Sequence, residues 1–140
     1  MPERTMGEII RDQRPLALGP DASVADACKA MHQRRVGAVL VVEEGDRLAG
    51  IFTGRDAVRC LGEGCDAKHT NLREVMTAKP MTLEPEAHAM DALRVFHDCG
   101  FRHLPVCRAG QVIGIVSRYD FRTREHGRLD EESGFFEVIR

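Results

Sequence analysis

The chain contains an internal repeat, which restricts the possible folds more strongly than any other feature of the sequence. Residues 50–56 read GIFTGRD and return as GIVSRYD at residues 114–120. Upstream of these segments, Pro15 recurs as Pro80 at an offset of 65, and the offset falls to 64 after the glycine-containing turn at residues 43–47. A length change confined to a turn is typical of duplication, because loops tolerate insertions and deletions. We therefore expect two halves of similar fold.

Length, charge and cysteine content limit the class of protein. A chain of 140 residues forms one domain, or two small halves that share a core. Its formal net charge of −2 gives no reason to expect non-specific binding of nucleic acid. No apolar run approaches the roughly 20 residues that span a bilayer, and the N-terminus lacks the apolar region of a secretory signal. We therefore expect a cytoplasmic protein without membrane contact, whose five cysteines stay reduced.

Each half has the hydrophobic pattern of a β-α-β-β-α unit. Apolar residues at i, i+3, i+4 and i+7 from Val24, and again from Ala89, predict a helix with one buried stripe. The continuous apolar run at residues 36–42 predicts a strand buried on both faces, whereas Pro105 predicts an edge position, or a point where pairing ends, for its counterpart at residues 101–107. In chain order, the first half has strand 16–18, a helix from 24, strands 36–42 and 48–53 and a helix from 55, and the second has strand 81–83, a helix from 89, strands 101–107 and 112–117 and a helix from 118.

The repeat also suggests where the two halves begin and end. Residues 71–76 predict a short helix that leads into the second repeat, and residues 7–10 are a weaker copy before the first. Four apolar residues near the C-terminus suggest either a segment that covers a partner subunit or the module's own flank, or a loose terminus. The expected divisions are repeat one at 6–62, a linker at 63–70, repeat two at 71–125 and a tail at 126–140.

The repeated segment ends in a Thr/Ser-x-x-Asp motif at a predicted strand-to-helix junction. Thr53 with Asp56, and Ser117 with Asp120, have the spacing of a helix capping box, and that structural role explains either copy taken alone. Their occurrence twice in register favours a second role. The N-terminus of a helix presents free N–H groups that suit a phosphate, and an aspartate there accepts hydrogen bonds from a vicinal diol such as ribose.

These motifs resemble those of the cystathionine-β-synthase (CBS) domain family in its tandem arrangement, the Bateman module. The resemblance covers about residues 6–125 and includes the RHLPV segment at residues 102–106 and the VMT segment that precedes Pro80. It implies a mixed α/β (α+β) fold in which two β-α-β-β-α repeats pack with pseudo-twofold symmetry and leave two clefts. It further implies a homodimer and an adenosine-bearing ligand such as AMP, ADP, ATP, NAD or S-adenosylmethionine.

The resemblance also implies a role for the residues of the motifs. Thr53 and Ser117 would contact phosphate, and Asp56 and Asp120 would hold ribose hydroxyls. The candidate ligand-binding residues are Thr53, Arg55, Asp56, Arg102, His103, Ser117, Arg118 and Asp120.

The two expected clefts differ in their basic residues. Arg102 and His103 stand where members of the family place basic groups near phosphate, whereas repeat one has glycine and alanine at the aligned residues 37–38. Arg14 and Lys79, each of which precedes a proline, are weaker candidates for the same role. We therefore expect the clefts to differ in affinity or in ligand charge, and the second to be the better site.

Two other functional interpretations stay open. The motifs would act only as helix caps in a dimerisation scaffold whose clefts are empty. In the second interpretation the protein is a metal or redox sensor that depends on Cys60, Cys65 and His69, although the spacing of these residues lacks the paired C-x2-C of structural zinc sites. No nucleophile–base pair or phosphate loop stands out, so we expect no catalysis and no required cofactor or metal. The expected function is that of an adenosine-nucleotide-binding regulatory module, which acts through ligand-dependent contacts within a dimer or with an unidentified partner.

Overall fold

The computed structural model describes residues 3–121, together with residues 125 and 127. None of the helices within these residues is long and apolar enough to cross a bilayer. In chain order the elements are helix α1 (Met6–Ile9), strand β1 (Ala17–Leu18), helix α2 (Val24–Arg34), strand β2 (Ala38–Glu43), strand β3 (Arg47–Thr53), helix α3 (Gly54–Gly62), helix α4 (Leu72–Val75), strand β4 (Thr77–Ala78), helix α5 (Ala89–Cys99), strand β5 (His103–Arg108) and strand β6 (Gln111–Ser117). Short 3₁₀ turns at Glu44–Asp46 and Arg118–Asp120 follow β2 and β6.

The strands form one sheet in the order β1-β2-β3-β6-β5, with β4 paired to β3. Two antiparallel hairpins, β2–β3 and β5–β6, are joined through the pairing of Arg47 with Gln111. Helices and this sheet make the mixed α+β fold that the sequence predicts. Pro105 lies in β5, the last strand of the order, and apart from β6 only Leu83 among the described residues forms a bridge to this strand, at Val106, in agreement with an edge position or an end of pairing.

The predicted strand at residues 81–83 is shorter than expected. Only Leu83 pairs, in a single bridge to Val106, whereas β1 pairs with β2 over two residues. In the first half the N–H of Leu40 donates to the carbonyl of Leu16 at 2.9 Å. The residue equivalent to Leu40 in the second half is Pro105, which has no N–H to donate, so the corresponding hydrogen bond is lost.

Caps set the limits of the main helices. Ser23 Oγ accepts a hydrogen bond from the N–H of Asp26 at 3.0 Å, which confirms the predicted N-cap of α2. Helix α5 ends at Gly100, whose φ of 72° is the left-handed conformation typical of a helix C-terminus. The helix predicted from residue 118 begins as the 3₁₀ turn, and beyond residue 121 only Glu125 and Gly127, both helical, are described. The rest of the predicted tail lies outside the described residues.

The two halves exchange the short helices that precede them, α1 and α4, which we call the lead-in helices. Met6 of α1 and the adjoining Ile10 are buried in the core of the second half, against α5. Leu72 of α4, which precedes the second half in the chain, is fully buried in the core of the first half. Residues 7–10 therefore precede repeat one in the sequence but pack against repeat two, because each hairpin buries its apolar face under the lead-in of the other half.

The exchange explains why glycine recurs in the repeated segment. A Cβ atom at Gly114 would lie 2.6 Å from Ile10 Cδ1, and one at Gly50 would lie 2.7 Å from the carbonyl oxygen of Thr77. These approaches are closer than van der Waals contact. The two glycines are therefore required where the lead-in segment of the other half crosses the hairpin.

Candidate functional site

Two clefts open beside the repeated motifs. One, of about 860 Å³, is lined by Ser117, Arg118 and Asp120, and we call it the Asp120 cleft. The other, of about 590 Å³, is lined by Thr53, Arg55 and Asp56, and we call it the Asp56 cleft. Both volumes lie in the range of about 300–1,000 Å³ that is usual for small-molecule sites.

In the Asp56 cleft the motif forms a complete capping box at the start of α3. Asp56 Oδ2 accepts hydrogen bonds from the N–H of Thr53 at 2.9 Å and from its hydroxyl at 3.1 Å. Thr53 Oγ1 in turn accepts from the N–H of Asp56 at 3.3 Å. The other carboxylate oxygen of Asp56 faces the guanidinium of Arg59 at 3.4 Å, so both oxygens of this carboxylate have partners.

In the Asp120 cleft the carboxylate is less fully engaged. Asp120 Oδ2 accepts hydrogen bonds from the N–H of Ser117 at 2.6 Å and from its hydroxyl at 3.3 Å. Within the described part of the chain, no hydrogen-bond donor reaches Asp120 Oδ1, and the residue is exposed. This carboxylate therefore caps the 3₁₀ turn through one oxygen and keeps the other for a further donor, such as a ribose hydroxyl.

Each cleft is built from both halves of the molecule. The Asp120 cleft, whose motif belongs to the second half, is also lined by Arg14 and Gly37 of the first. The Asp56 cleft, whose motif belongs to the first half, is also lined by Lys79 and Phe101 of the second. The repeat pattern alone does not show this mixing, because the exchange of segments between the halves involves contacts that are distant in the chain.

Basic side chains are more numerous in the Asp120 cleft. The sequence-predicted Arg102 and His103 line both clefts rather than one. The weaker candidates also separate, with Arg14 in the Asp120 cleft and Lys79 in the Asp56 cleft. The arginines that line the Asp120 cleft are Arg14, Arg34, Arg35, Arg102 and Arg118.

Arg34 and Arg35 were not among the sequence-predicted site residues. They follow the buried stripe of α2 and immediately precede Val36 and Gly37, which line the same cleft. Arg34 donates a hydrogen bond to the carbonyl of Arg14, and Arg35 has a left-handed backbone with a φ of 55°. The sequence holds no local signal for this role, because Ser117 and Asp120, which line the same cleft, lie far away along the chain.

The balance of charge in both clefts favours an anion. Asp120 is the single carboxylate that lines the Asp120 cleft in the described residues, against five arginines. The Asp56 cleft has Arg55, Lys79 and Arg102 against Asp56. Because the whole chain carries a formal charge of −2, the clefts concentrate positive charge in a weakly acidic protein.

His103 packs closely against Gly37. A Cβ atom at Gly37 would lie 3.3 Å from His103 Cε1, so the glycine leaves the space that the imidazole ring occupies. Burial lowers the pKa of His103 below its ordinary value of 6.5, Arg102 lowers it further, and the carboxylate of Asp120 acts in the opposite direction. The ring is therefore mainly neutral at pH 7.

A glutamine that sequence analysis did not identify completes the Asp120 cleft. The side-chain amide of Gln13 donates to the carbonyl of Ile115 at 2.7 Å and accepts from its N–H at 2.6 Å. In the first hairpin the residue equivalent to Ile115 is Ile51, and there β4 pairs through its backbone, with Thr77 opposite Ile51. One side chain thus replaces a strand, which makes the two clefts structurally different.

The cysteines and His69 do not form a metal cluster. Cys60 and Cys65 lie together where α3 ends, and the N–H of Cys65 donates to the carbonyl of Cys60 at 3.0 Å. His69 Nδ1 lies 2.7 Å from a carboxylate oxygen of Asp66. No group of three or more potential metal ligands occurs among residues 3–121, 125 and 127. Burial raises the pKa of Cys60, which keeps its thiol protonated.

Comparison with known proteins agrees with the tandem repeat. The family model described as the CBS domain matches residues 6–63 and again residues 72–127. The CBS domain-containing protein CBSCBSPB2 of Arabidopsis thaliana is 37% identical over 115 residues, which are 81% of this chain and 21% of that protein. The chain thus spans about a fifth of the length of this curated relative.

Solved structures share the whole arrangement. A signal-transduction protein with CBS domains from Burkholderia ambifaria MC40-6 is 33% identical, with a TM-score of 0.75 over 83% of this chain and 89% of that one. The CBS domain protein PAE2072 from Pyrobaculum aerophilum has a TM-score of 0.82 over 91% of this chain and 98% of that one, at 18% identity. Since the family model matches most of the chain in two copies, and solved CBS proteins share its fold, the chain belongs to the CBS domain family as a tandem pair of CBS domains.

Proposed function

We propose that this CBS pair is a regulatory module that binds an adenosine nucleotide in one or both clefts. The observation that carries the proposal is the Asp120 carboxylate, which caps a turn through Oδ2 and keeps Oδ1 for another donor in a cleft of about 860 Å³ lined by arginines. A carboxylate for a ribose diol and nearby cations for a phosphate are the groups that a nucleotide requires. The structure of PAE2072, which shares the fold, is that of a complex with AMP, and this supports the ligand class.

The proposed roles follow the motifs. Asp56 and Asp120 hold the ribose hydroxyls, while Thr53 and Ser117 contact phosphate. Arg55 and Arg118 lie within their respective motifs and contact the ligand of their own cleft, and Arg102 and His103 contact the phosphates of both clefts. The carboxylates accept hydrogen bonds from ribose hydroxyls, and the hydroxyl and guanidinium groups donate hydrogen bonds to phosphate oxygens.

The module is proposed to act through its assembly rather than by catalysis. Two apolar side chains of α3, Val58 and Leu61, are 71% and 81% exposed, and they lie on the helix that begins at the Asp56 motif. Burial of this surface in a homodimer, or against a regulated partner, would place the contact two to five residues after Asp56 in the chain. Ligand binding would then change the contact by shifting the start of α3.

A thermal-shift screen with adenosine, AMP, ATP, NAD and S-adenosylmethionine tests the proposal. At 100 times its dissociation constant, a specific ligand adds about 2.7 kcal/mol to the free energy of unfolding, so at least one of these ligands should raise the melting temperature clearly. Asp120→Ala and Asp56→Ala should each reduce the shift.

A dimerisation scaffold with empty clefts is the second candidate function. The complete capping box at Thr53 and Asp56 favours it, because that carboxylate already has a partner on each oxygen. The scaffold is the better account if no adenosine ligand changes the melting temperature while the double variant Asp56→Ala/Asp120→Ala unfolds earlier than the wild type.

A further inference from the structure

The two clefts meet along a wall that both of them use. Gly37, Arg102 and His103 line the Asp56 cleft as well as the Asp120 cleft, and we call these three residues the shared wall. No other residue of the described part of the chain lines both clefts.

The sheet places the shared wall directly beside both motifs. The carbonyl of Gly37 accepts a hydrogen bond from the N–H of Gly54 at 3.0 Å, next to Thr53. On the other side, His103 pairs with Ser117 across the β5–β6 hairpin. The wall therefore adjoins the backbone beside Thr53 and that of Ser117, the two residues whose hydroxyl groups the proposed function assigns to phosphate.

The wall is also thin. Gly37 and His103 approach so closely that a Cβ atom at Gly37 would already lie 3.3 Å from the imidazole ring. Phosphate groups bound on the two faces of the wall would therefore both lie near the same side chains and interact electrostatically.

Arg102 is the permanent cation of the wall. Because His103 is mainly neutral at pH 7, the guanidinium of Arg102 supplies the positive charge that both clefts share. Arg102 is exposed, and within the described residues it forms no ion pair with a carboxylate. Two phosphate groups, one in each cleft, would compete for this guanidinium and would also repel each other.

We propose that the two clefts bind phosphate-bearing ligands with negative coupling, because Arg102 of the shared wall can neutralise only one phosphate at a time. This regulation of the site rests on the proposed nucleotide binding. Reciprocity follows from thermodynamics, so occupancy of either cleft weakens the other by the same factor. A ligand without phosphate, such as adenosine, binds the two clefts independently.

Calorimetric titration of AMP into the wild type and into two single-cleft proteins measures the coupling. Val36→Trp fills the Asp120 cleft and Met81→Trp fills the Asp56 cleft without a change of charge, at side chains that are 40% and 47% exposed. The dissociation constants measured for the two single-cleft proteins, which we call the single-cleft constants, are held fixed when the wild-type isotherm is fitted. We expect the second AMP to bind at least about fivefold more weakly than the single-cleft constants require, which is the low end of typical coupling between sites.

Two variants show whether the coupling belongs to Arg102. Arg102→Gln should weaken both clefts and bring the coupling factor close to one. Lys79→Gln, the matched control, removes a cation that lines the Asp56 cleft alone and should weaken that cleft while the coupling factor stays. The factor should also decrease as potassium chloride is added, because salt screens the repulsion between the phosphates.

The outcomes separate this inference from the proposed function. Two AMP molecules that bind the wild type with the single-cleft constants would overturn the coupling and leave nucleotide binding intact. A coupling factor that survives Arg102→Gln, or that is equally large for adenosine, would also overturn it. Absence of heat with AMP in the wild type and in both single-cleft proteins would overturn the proposed function, and the coupling with it.

Discussion

At Gly50 and Gly114 the need for glycine comes from packing against another segment, since neither residue has a positive φ. The obstacles are parts of the chain that move with difficulty, namely the carbonyl of Thr77 and the Cβ of Ile10. The glycines that begin the repeated segment therefore have a structural role, whereas the hydroxyl and carboxylate residues that end it line the clefts.

Gly114→Ala should destabilise the protein. Its Cβ would lie 2.8 Å from the Cβ of Ile10, and overpacking of this kind costs about 1–3 kcal/mol. Gly54→Ala is the matched control, because open space surrounds its Cβ position at the first residue of α3, so alanine should leave the free energy of unfolding nearly unchanged. Urea denaturation measures both. Equal stabilities for the two variants would contradict the packing role of Gly114.

Replacement of His103 should change the pH dependence of stability. Its pKa is lower in the folded protein than the ordinary 6.5, so the unfolded chain binds the proton more readily. The resulting stability is present above the ordinary pKa and is lost as pH falls towards the folded value. His103→Gln should therefore lose less free energy of unfolding than the wild type between about pH 7.5 and about pH 5.5. Parallel losses in the two proteins would show that His103 is not the group responsible.

Among the elements, the lead-in helices interlock the halves. Periodicity predicts α2 and α5 and the hairpin strands, because their apolar spacing is a local signal. Periodicity does not predict that α1 packs on the second half. A helix of four residues is too short for its apolar spacing to show which part of the chain it packs against. The repeated glycines were visible in the sequence, but only the structure shows which segment crosses each one.

Truncation of a lead-in side chain should loosen the half against which it packs. Met6→Ala removes a fully buried side chain from the second core and should cost about 2–5 kcal/mol. Hydrogen exchange should then increase more in α5 than in α2. Leu72→Ala is the reciprocal variant, and it should expose α2 more than α5. Larger effects in the half that follows each helix in the chain would contradict the exchange.

For the whole molecule, the sequence motifs correctly indicate the family and the α+β fold, and the composition of each cleft depends on how the halves assemble. The motif residues could be identified because their chemistry is local and repeated. The contributions of Arg34, Arg35 and Gln13 could not, because these side chains reach a motif that lies about 80–100 residues away in the chain. The presence of Arg102 in both clefts likewise depends on tertiary contact.

The proposed homodimer depends on the exposed face of α3. Leu61→Glu places a charge at a position that is 81% exposed in the single chain and should shift sedimentation from dimer to monomer while leaving the fold intact. Ile113→Glu, at a partly exposed apolar position on β6, is the control and should leave the assembly unchanged. A wild type that sediments as a monomer at all concentrations would exclude this dimer.

Calorimetric titration of adenosine ligands into the wild type and Asp120→Asn tests the central claim most directly. Asparagine keeps the side-chain oxygen that caps the turn but loses the carboxylate that would hold a ribose diol. We expect a saturable heat with AMP or ATP in the wild type, binding about tenfold or more weaker in Asp120→Asn, and similar melting temperatures for the two unliganded proteins. Absence of heat with every adenosine ligand, or equal affinities in the two proteins, would contradict the assignment of Asp120 to a nucleotide.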